Sequence, residues 1–322
     1  MKSMVHSEYG MPAEVMHLTD TDPPVPGDGE VLIRVRAAGV NWADWSLVRG
    51  VPLMVRLGYG LRRPRTTIRG SDVAGVVEQA GPGVRHLEAG DEVLGWCEGA
   101  FAEYACTPED HLVPKPSAVT FEQAAAVPMA GMVALQAMRD VARVGPGQKV
   151  LVNGASGGIG TFAVQVAKAL GAEVTGVCST NNVDLVRSIG ADRVIDYTEV
   201  DFTEDDERYD CILDIADNRS LAARRRVLTP DGTLIPNSGE GGRLAGSLGR
   251  IVGARLMSLF VGQKLHPFLS LPKHDDLAAL AEMIKARTVT PVVGRTFPLT
   301  ETADALAYVG RRHAQGKTVI TI

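Results

Sequence analysis

KVLVNGASGGIGTFAVQVAKALGAEVTGVC, residues 149–178, sets the architecture of this 322-residue chain. It opens on an apolar triplet, Val150 to Val152, and passes into a glycine cluster at Gly154, Gly157, Gly158 and Gly160. A helix-period segment with few charges follows, Phe162 to Leu170, stopped by Gly171; a second apolar run, Val174 to Cys178, closes it. Strand, tight turn, helix and strand within about 30 residues is the length of a βαβ unit. The glycines have physical reasons to be there. One turn position must carry no Cβ. Another lets the backbone approach a pyrophosphate held on the free N–H groups of a helix N-terminus. A third lets helix and strand pack closely. Strand before and helix after the cluster supply the context that a dinucleotide-binding turn requires. Gly154, Ser156, Gly157, Gly158 and Ile159 are the turn residues expected at the cofactor.

A site that prefers NAD usually places Asp or Glu about 20 residues after the glycines, on the ribose 2′-OH. Cys178, Ser179, Thr180, Asn181 and Asn182 stand there instead, none of them acidic. A 2′-phosphate is not repelled, and Ser179, Thr180 and Asn182 can donate hydrogen bonds to it, so NADP(H) is favoured. No Arg or Lys occupies those positions; Arg187 on the following helix is the nearest cation and reads as a solvated helix residue.

Length and composition frame the rest. A chain of 322 residues suits two domains. With 45% hydrophobic and 22% charged residues it reads as a water-soluble globular protein. A net charge of −5 gives no general attraction to nucleic acid or anionic membrane. No apolar signal core opens the sequence, and no run reaches the roughly 18 apolar residues of a membrane span. Cys97, Cys106, Cys178 and Cys211 have neither CxxC spacing nor disulfide density, which points to reduced thiols in the cytoplasm.

The texture is β from Met1 to about Pro116. Val31 to Ala37, VLIRVRA, alternates apolar and charged residues as a half-buried strand does; Val73 to Gln79, Asp91 to Gly95 and Ala100 to Ala105 are further strands. Gly/Pro punctuation among them predicts a partly closed barrel or sandwich-like domain. Helices are expected from Phe121 to Ala126 and from Met132 to Val141. After the βαβ unit, Val194–Asp196, Asp210–Asp214 and Gly232–Pro236 alternate with helical segments, the pattern of an open parallel sheet. Asp201 to Glu207 reads as an acidic surface loop. Leu277–Ala286 and Glu301–Arg312 read as helices and Thr318–Ile322 as a last strand.

This order resembles the medium-chain dehydrogenase/reductase superfamily, and within it the zinc-free quinone oxidoreductase-like branch. The resemblance runs through AAGVNWADW (37–45), GSDVAGVV (70–77), GPGV and AGDEVLG (81–95), AAAVPMAG (124–131), the glycine turn, GADRVIDY (190–197) and GKTVI (316–320). It implies an α/β protein: a GroES-like β-rich catalytic domain over residues 1–122, completed by 268–322, and a Rossmann domain, a doubly wound parallel sheet, over 123–267. It also implies that Asn41, Val133, Tyr197, Phe260, Val261 and Lys317 face the cofactor, Tyr197 beside the 2′-phosphate, and that the protein is a homodimer. The family's catalytic zinc ligands would fall on Asn41, Ser71 and Met129, which are not zinc donors. The four clustered cysteines of its structural zinc lobe are reduced to Cys97 and Cys106. No metal is expected.

Without a Lewis acid, hydride transfer needs an acceptor that is already electrophilic, such as a quinone or an α,β-unsaturated carbonyl. Candidate catalytic groups are Asn41, Tyr59 and Asp44, hydrogen-bond donors or acids near the developing oxyanion. Asn41 could equally hold a turn, Asp44 cap a helix at Trp45, and Tyr59 pack in its loop. Trp42 and Trp45 could wall the acceptor or belong to the core. Relatives carry Tyr at Ser46 and Thr at Val133. The expected function is NADPH-dependent reduction of a small quinone or enone. The alternatives are an enone or alkenal reductase with little quinone activity, or an NADPH-binding regulatory or RNA-binding protein. The five arginines between Arg56 and Arg69 read as a solvated loop without the stacking aromatics of a nucleic-acid site.

Overall fold

The computed structural model describes residues 1–237, 262–266 and 268–322. They form two compact units. One comprises Met1–Met132, Pro272–Ala286 and Pro291–Ile322; the other comprises Val133–Leu271 and Arg287–Thr290.

In the first unit a hairpin, β1 (Lys2–His6) and β2 (Met16–Asp20), precedes the long strand β3 (Glu30–Val40). Then come β4 (Asp72–Ala80), β5 (Glu92–Trp96), β6 (Tyr104–Pro108) and β7 (Leu112–Pro114). The chain returns to this sheet at its other end with β14 (Val293–Pro298) and β15 (Lys317–Thr321). The order is β14-β15-β3-β4-β5-β7, with β6 also on β3. VLIRVRA alternates only through its centre, around the exposed Arg34 and Arg36; both ends of β3 are buried. This β-rich unit is the GroES-like domain.

Two expectations shift here. Ala100 to Ala105 is not one strand: the N–H groups of Ala100 and Phe101 turn back onto the carbonyls of Gly70 and Arg69, and pairing with β3 starts at Tyr104. The arginine loop is not simply solvated. It holds a 3₁₀ turn, Leu53–Val55, and a short helix, Arg56–Tyr59. Arg69 is buried, its Nε donating to His6 Nε2 at 3.0 Å.

The second unit is a parallel sheet of β8 (Lys149–Asn153), β9 (Glu173–Cys178), β10 (Arg193–Asp196), β11 (Tyr209–Asp214), β12 (Leu228–Pro236) and β13 (Lys264–Leu265). Its order is β10-β9-β8-β11-β12-β13, every pairing parallel. Counted within the unit this is 3-2-1-4-5-6, the Rossmann order. Near-continuous burial of β8 and β9 matches strands covered on both faces. Asp201 to Glu207 is more than a surface loop. Phe202 is fully buried in the core with Leu151 and Ile212, while Asp201, Asp205 and Glu207 pair with Arg219, Arg193 and Lys149. No described helix is long and apolar enough to cross a membrane.

Candidate active site

The first unit gathers a buried polar group at the end of β3. Asn41 follows the strand and is the N-cap of the helix Trp42–Arg49. Asp44 lies three residues on, and its Oδ2 accepts the Asn41 N–H at 2.8 Å. Asp44 therefore closes the first turn as the second half of a capping box, not as the cap itself. The Asp44 Oδ1 accepts Ser71 Oγ–H at 3.1 Å. Asp72, the first residue of β4, lies fully buried opposite Gly39. Gly39 makes that possible, because a Cβ there would stand 2.9 Å from both the Cβ and Oδ2 of Asp72. Lys317 opens β15, which runs antiparallel to β3 with Thr318 opposite Val40. That register delivers its ammonium to Asn41 Oδ1 at 2.6 Å, Asp72 Oδ2 at 3.1 Å and the Val40 carbonyl at 3.4 Å. Asn41 Nδ2 donates to Asp72 Oδ2 at 3.0 Å, and the Met129 N–H to Asp72 Oδ1 at 3.0 Å.

The three positions onto which the resemblance maps zinc ligands lie in this network: the Asn41 amide and the Met129 N–H meet on Asp72, and the Ser71 hydroxyl meets Asp44. Their side chains offer an amide, a thioether and a hydroxyl, which is not a zinc donor set. Among the described residues no group of three or more His, Cys, Asp or Glu could hold a metal ion.

Burial, chiefly, pushes the Asp44 carboxyl up to about 6, with the Asp72 charge adding to it; the Asn41 N–H, the Ser71 hydroxyl and the more distant Lys317 oppose the rise. His6, behind Arg69, is held down to about 4, again mainly by burial. The two act on stability with opposite sign. Between the unfolded carboxyl value near 3.9 and about 6, the native state holds a proton on Asp44 that the unfolded chain has lost, so stability falls as pH rises through that window. Between about 4 and 6.5 the unfolded chain holds a proton that native His6 lacks, so stability rises with pH. Urea titrations at several pH values separate them. Asp44→Asn is expected to gain steadily on the wild type from pH 4 to pH 6, whatever its constant offset, and His6→Gln to lose ground over nearly the same range. Parallel curves for Asp44→Asn and wild type would contradict a buried, late-titrating Asp44.

Tyr59 is removed from this group. Its ring is 42% exposed and lies over the Arg69 guanidinium, 5.3 Å from centroid to Cζ. Trp42 and Trp45 lie 5.8 Å apart, with Arg312 over the first ring and Arg49 over the second; Trp45 also packs on the core.

In the second unit the glycine turn divides its tasks. Gly154 has φ +91°, a conformation that L side chains rarely adopt. A Cβ on Gly160 would collide with the Gly154 carbonyl, so that glycine closes helix onto turn. Gly157 caps the helix Gly158–Ala169 with φ −82°. A Cβ there would meet only the Gly154 oxygen, at 3.5 Å. The Cβ position of Gly157 is therefore uncrowded, at the N-terminus of a 12-residue helix whose first N–H groups could take an anion.

Asn153, at the end of β8, donates to Asp214 at 2.8 Å and to Asn218 at 3.0 Å. Asp214 is gripped in turn by the buried Arg224, which also bonds Asp217 at 2.8 Å. Neither this lattice nor Asp72 is among the residues expected from the sequence. The available signal was a lone Asn or Asp ending an apolar strand, KVLVN and YDCILD, or opening one, DVAGVV.

At the far corner Asn182 Nδ2 bonds Ser179 Oγ at 3.0 Å, Thr180 Oγ1 lies 3.0 Å from Thr198 Oγ1, and the Tyr197 N–H bonds the Cys178 carbonyl. Ser179, Thr180, Asn182 and Tyr197 are thereby brought together at the ends of β9 and β10. A cavity of about 520 Å³ opens there, lined by Thr180 and Arg187 among others, with Asp196 on the same wall. Val133 is buried in the helix Pro128–Leu135. Phe260 and Val261 lie outside the described residues.

Residues 27–117 match the family model described as alcohol dehydrogenase GroES-like domain, and residues 189–320 match the one described as zinc-binding dehydrogenase. The chloroplast envelope quinone oxidoreductase homolog of Arabidopsis thaliana is 31% identical over 334 residues, covering 99% of this chain and 98% of the relative. A mitochondrial NAD(P)H oxidoreductase of Homo sapiens is 33% identical over 363 residues, covering 100% and 89%. Among solved structures, the quinone oxidoreductase from Coxiella burnetii superposes with a TM-score of 0.86 at 26% identity, covering 100% and 99%. The Escherichia coli quinone oxidoreductase complexed with NADPH gives 0.85 at 22% identity over the whole of both chains, a likeness of fold.

Proposed function

The chain belongs to the medium-chain dehydrogenase/reductase superfamily, and from it we propose a zinc-independent NAD(P)H oxidoreductase that prefers NADPH and reduces a quinone or an α,β-unsaturated carbonyl. The observation that carries this reading is the Asn41–Asp72–Lys317 group. At a position onto which the resemblance maps a zinc ligand, this chain has an amide held by an ammonium and a carboxylate. NADPH preference rests on Ser179, Thr180 and Asn182 at the end of β9, none acidic; the adjoining cavity is lined by both signs of charge, Arg187 and Arg193 with Asp184, Asp196 and Glu199.

When bound, the nicotinamide supplies a hydride and leaves oxidised. The chain's own work is to orient and to manage charge. Hydride added to an enone β-carbon leaves an enolate; hydride added to a quinone leaves a hydroquinone anion; each then takes one proton. Asn41 has two amide hydrogens and spends one on Asp72. The other can donate to the developing oxyanion, an interaction that grows as charge does. Asp44, with its carboxyl raised to about 6, exchanges protons near neutrality through the Ser71 hydroxyl.

NADPH deuterated at C4 tests direct transfer. With a cyclic enone as acceptor, deuterium from the transferred face is expected on the product β-carbon, and solvent hydrogen on the α-carbon. Product without deuterium would rule out the proposed chemistry.

A further inference from the structure

Lys317 has no free donor. Its side chain is 4% exposed and its ammonium lies within hydrogen-bond distance of three acceptors, Asn41 Oδ1, Asp72 Oδ2 and the Val40 carbonyl. An ammonium can only donate, so it decides which way the Asn41 amide faces. Flipping that amide would set NH₂ against NH₃⁺ at 2.6 Å and turn the amide oxygen toward the Asp72 carboxylate. We propose that Lys317 is the positioning residue of the reaction. It fixes the amide of Asn41 with its oxygen inward, and by drawing electrons to that oxygen it strengthens the remaining N–H as a donor to the acceptor's oxyanion.

The chain of cause runs from sequence to site. Lys317 starts β15, and the antiparallel register that sets Thr318 against Val40 places the ammonium beside the residue after β3. Asp72 completes the clamp: it accepts from Lys317, from Asn41 and from the Met129 N–H, and Gly39 leaves it room. Hydrogen bonds from a charged group are roughly twice as strong as neutral ones, and bonds in series polarise one another. An amide held by a cation on its oxygen is for that reason a better N–H donor than a free asparagine. Lys317 touches neither acceptor nor reacting atoms; it acts through Asn41.

This inference rests on the function proposed above, and a double-mutant cycle with two readouts tells the failures apart. The first readout is turnover with NADPH and the best quinone or enone. Asn41→Ala is expected to lower kcat about 100-fold, the loss typical of one oxyanion donor. Lys317→Met alone is expected to lower it at least ~10-fold, and adding it to Asn41→Ala to cost no more than ~2-fold further, because a residue that acts only through Asn41 has nothing left to act on. Lys317→Met is expected to change NADPH affinity by no more than ~2-fold. Additive losses in the cycle would overturn the assignment, and so would a ≥10-fold weaker NADPH dissociation constant with unchanged kcat, which would make Lys317 a cofactor ligand.

The second readout needs no turnover. In ¹⁵N spectra of the cofactor-free protein, the Asn41 side-chain amide, assigned by its disappearance in Asn41→Asp, is expected to show one exchange-protected and one fast-exchanging proton. Lys317→Met is expected to shift its nitrogen and erase that difference. An Asn41 amide that ignores the loss of Lys317 would refute the positioning role even if every acceptor failed. Should Lys317→Met not fold, Lys317→Arg keeps the charge but cannot present three tetrahedral donors, and the same kcat loss with intact NADPH binding is expected.

Discussion

Gly157→Val is expected to abolish NADPH binding and leave the fold in place: dissociation constants from fluorescence titration should rise at least ~100-fold, about 2.7 kcal/mol, with the thermal midpoint hardly moved. Space and backbone both lead to this. Gly157 has φ −82° and ψ 176°, extended values open to a β-branched residue. Its Cβ would meet only the Gly154 oxygen, at 3.5 Å, an ordinary van der Waals contact. A pyrophosphate seated on the N-terminus of the helix Gly158–Ala169 has no such freedom, because valine methyls would occupy the approach and hold the anion away from the amides that bind it. Gly160→Ala is the contrasting variant. Its Cβ would collide with the Gly154 carbonyl, so stability falls along with affinity. An unchanged affinity in Gly157→Val would remove the glycine turn from the cofactor site.

The second large effect is on stability. Asp72→Ala is expected to cost about 3–5 kcal/mol, the range for breaking one side of a buried ion pair. Asp72 is fully buried and its carboxylate accepts from Lys317, Asn41 and the Met129 N–H. Its removal leaves a buried ammonium without its counter-charge and takes an acceptor from an amide and a backbone donor. Asp72→Asn is milder in shape but carries the same loss of charge, and its amide can face the ammonium with oxygen only. Urea midpoints for the two variants report this directly. A cost below about 1 kcal/mol for Asp72→Ala would mean that water reaches Lys317 once the carboxylate is gone.

Much of the architecture is readable along the chain because local signals agree there. The glycine turn, its flanking apolar runs and the spacing to Val174–Cys178 name a βαβ unit, and β8, the helix and β9 fall where those residues put them. VLIRVRA and VAGVV mark the two long strands of the first unit. What the sequence conceals is what depends on register between distant segments. Lys317 and Asn41 stand 276 residues apart and meet only because β15 pairs with β3 as it does. Read alone, Lys317 follows a glycine like any cofactor-binding lysine, and Asn41 begins a helix like any cap. Asp72 hides for the same reason: one acidic residue before an apolar strand looks like a solvated strand end until Gly39 and Lys317 are seen around it. Phe202 makes the converse point, a core residue inside an acidic run that composition assigns to solvent.

The most direct measurement is NADPH oxidation by chelator-treated protein against a benzoquinone, a cyclic enone and a simple ketone, before and after zinc is added back. Turnover of the quinone or the enone is expected, with none of the ketone and no response to zinc. Activity that disappears with the chelator and returns with zinc, or ketone reduction equal to that of the conjugated acceptors, would contradict it.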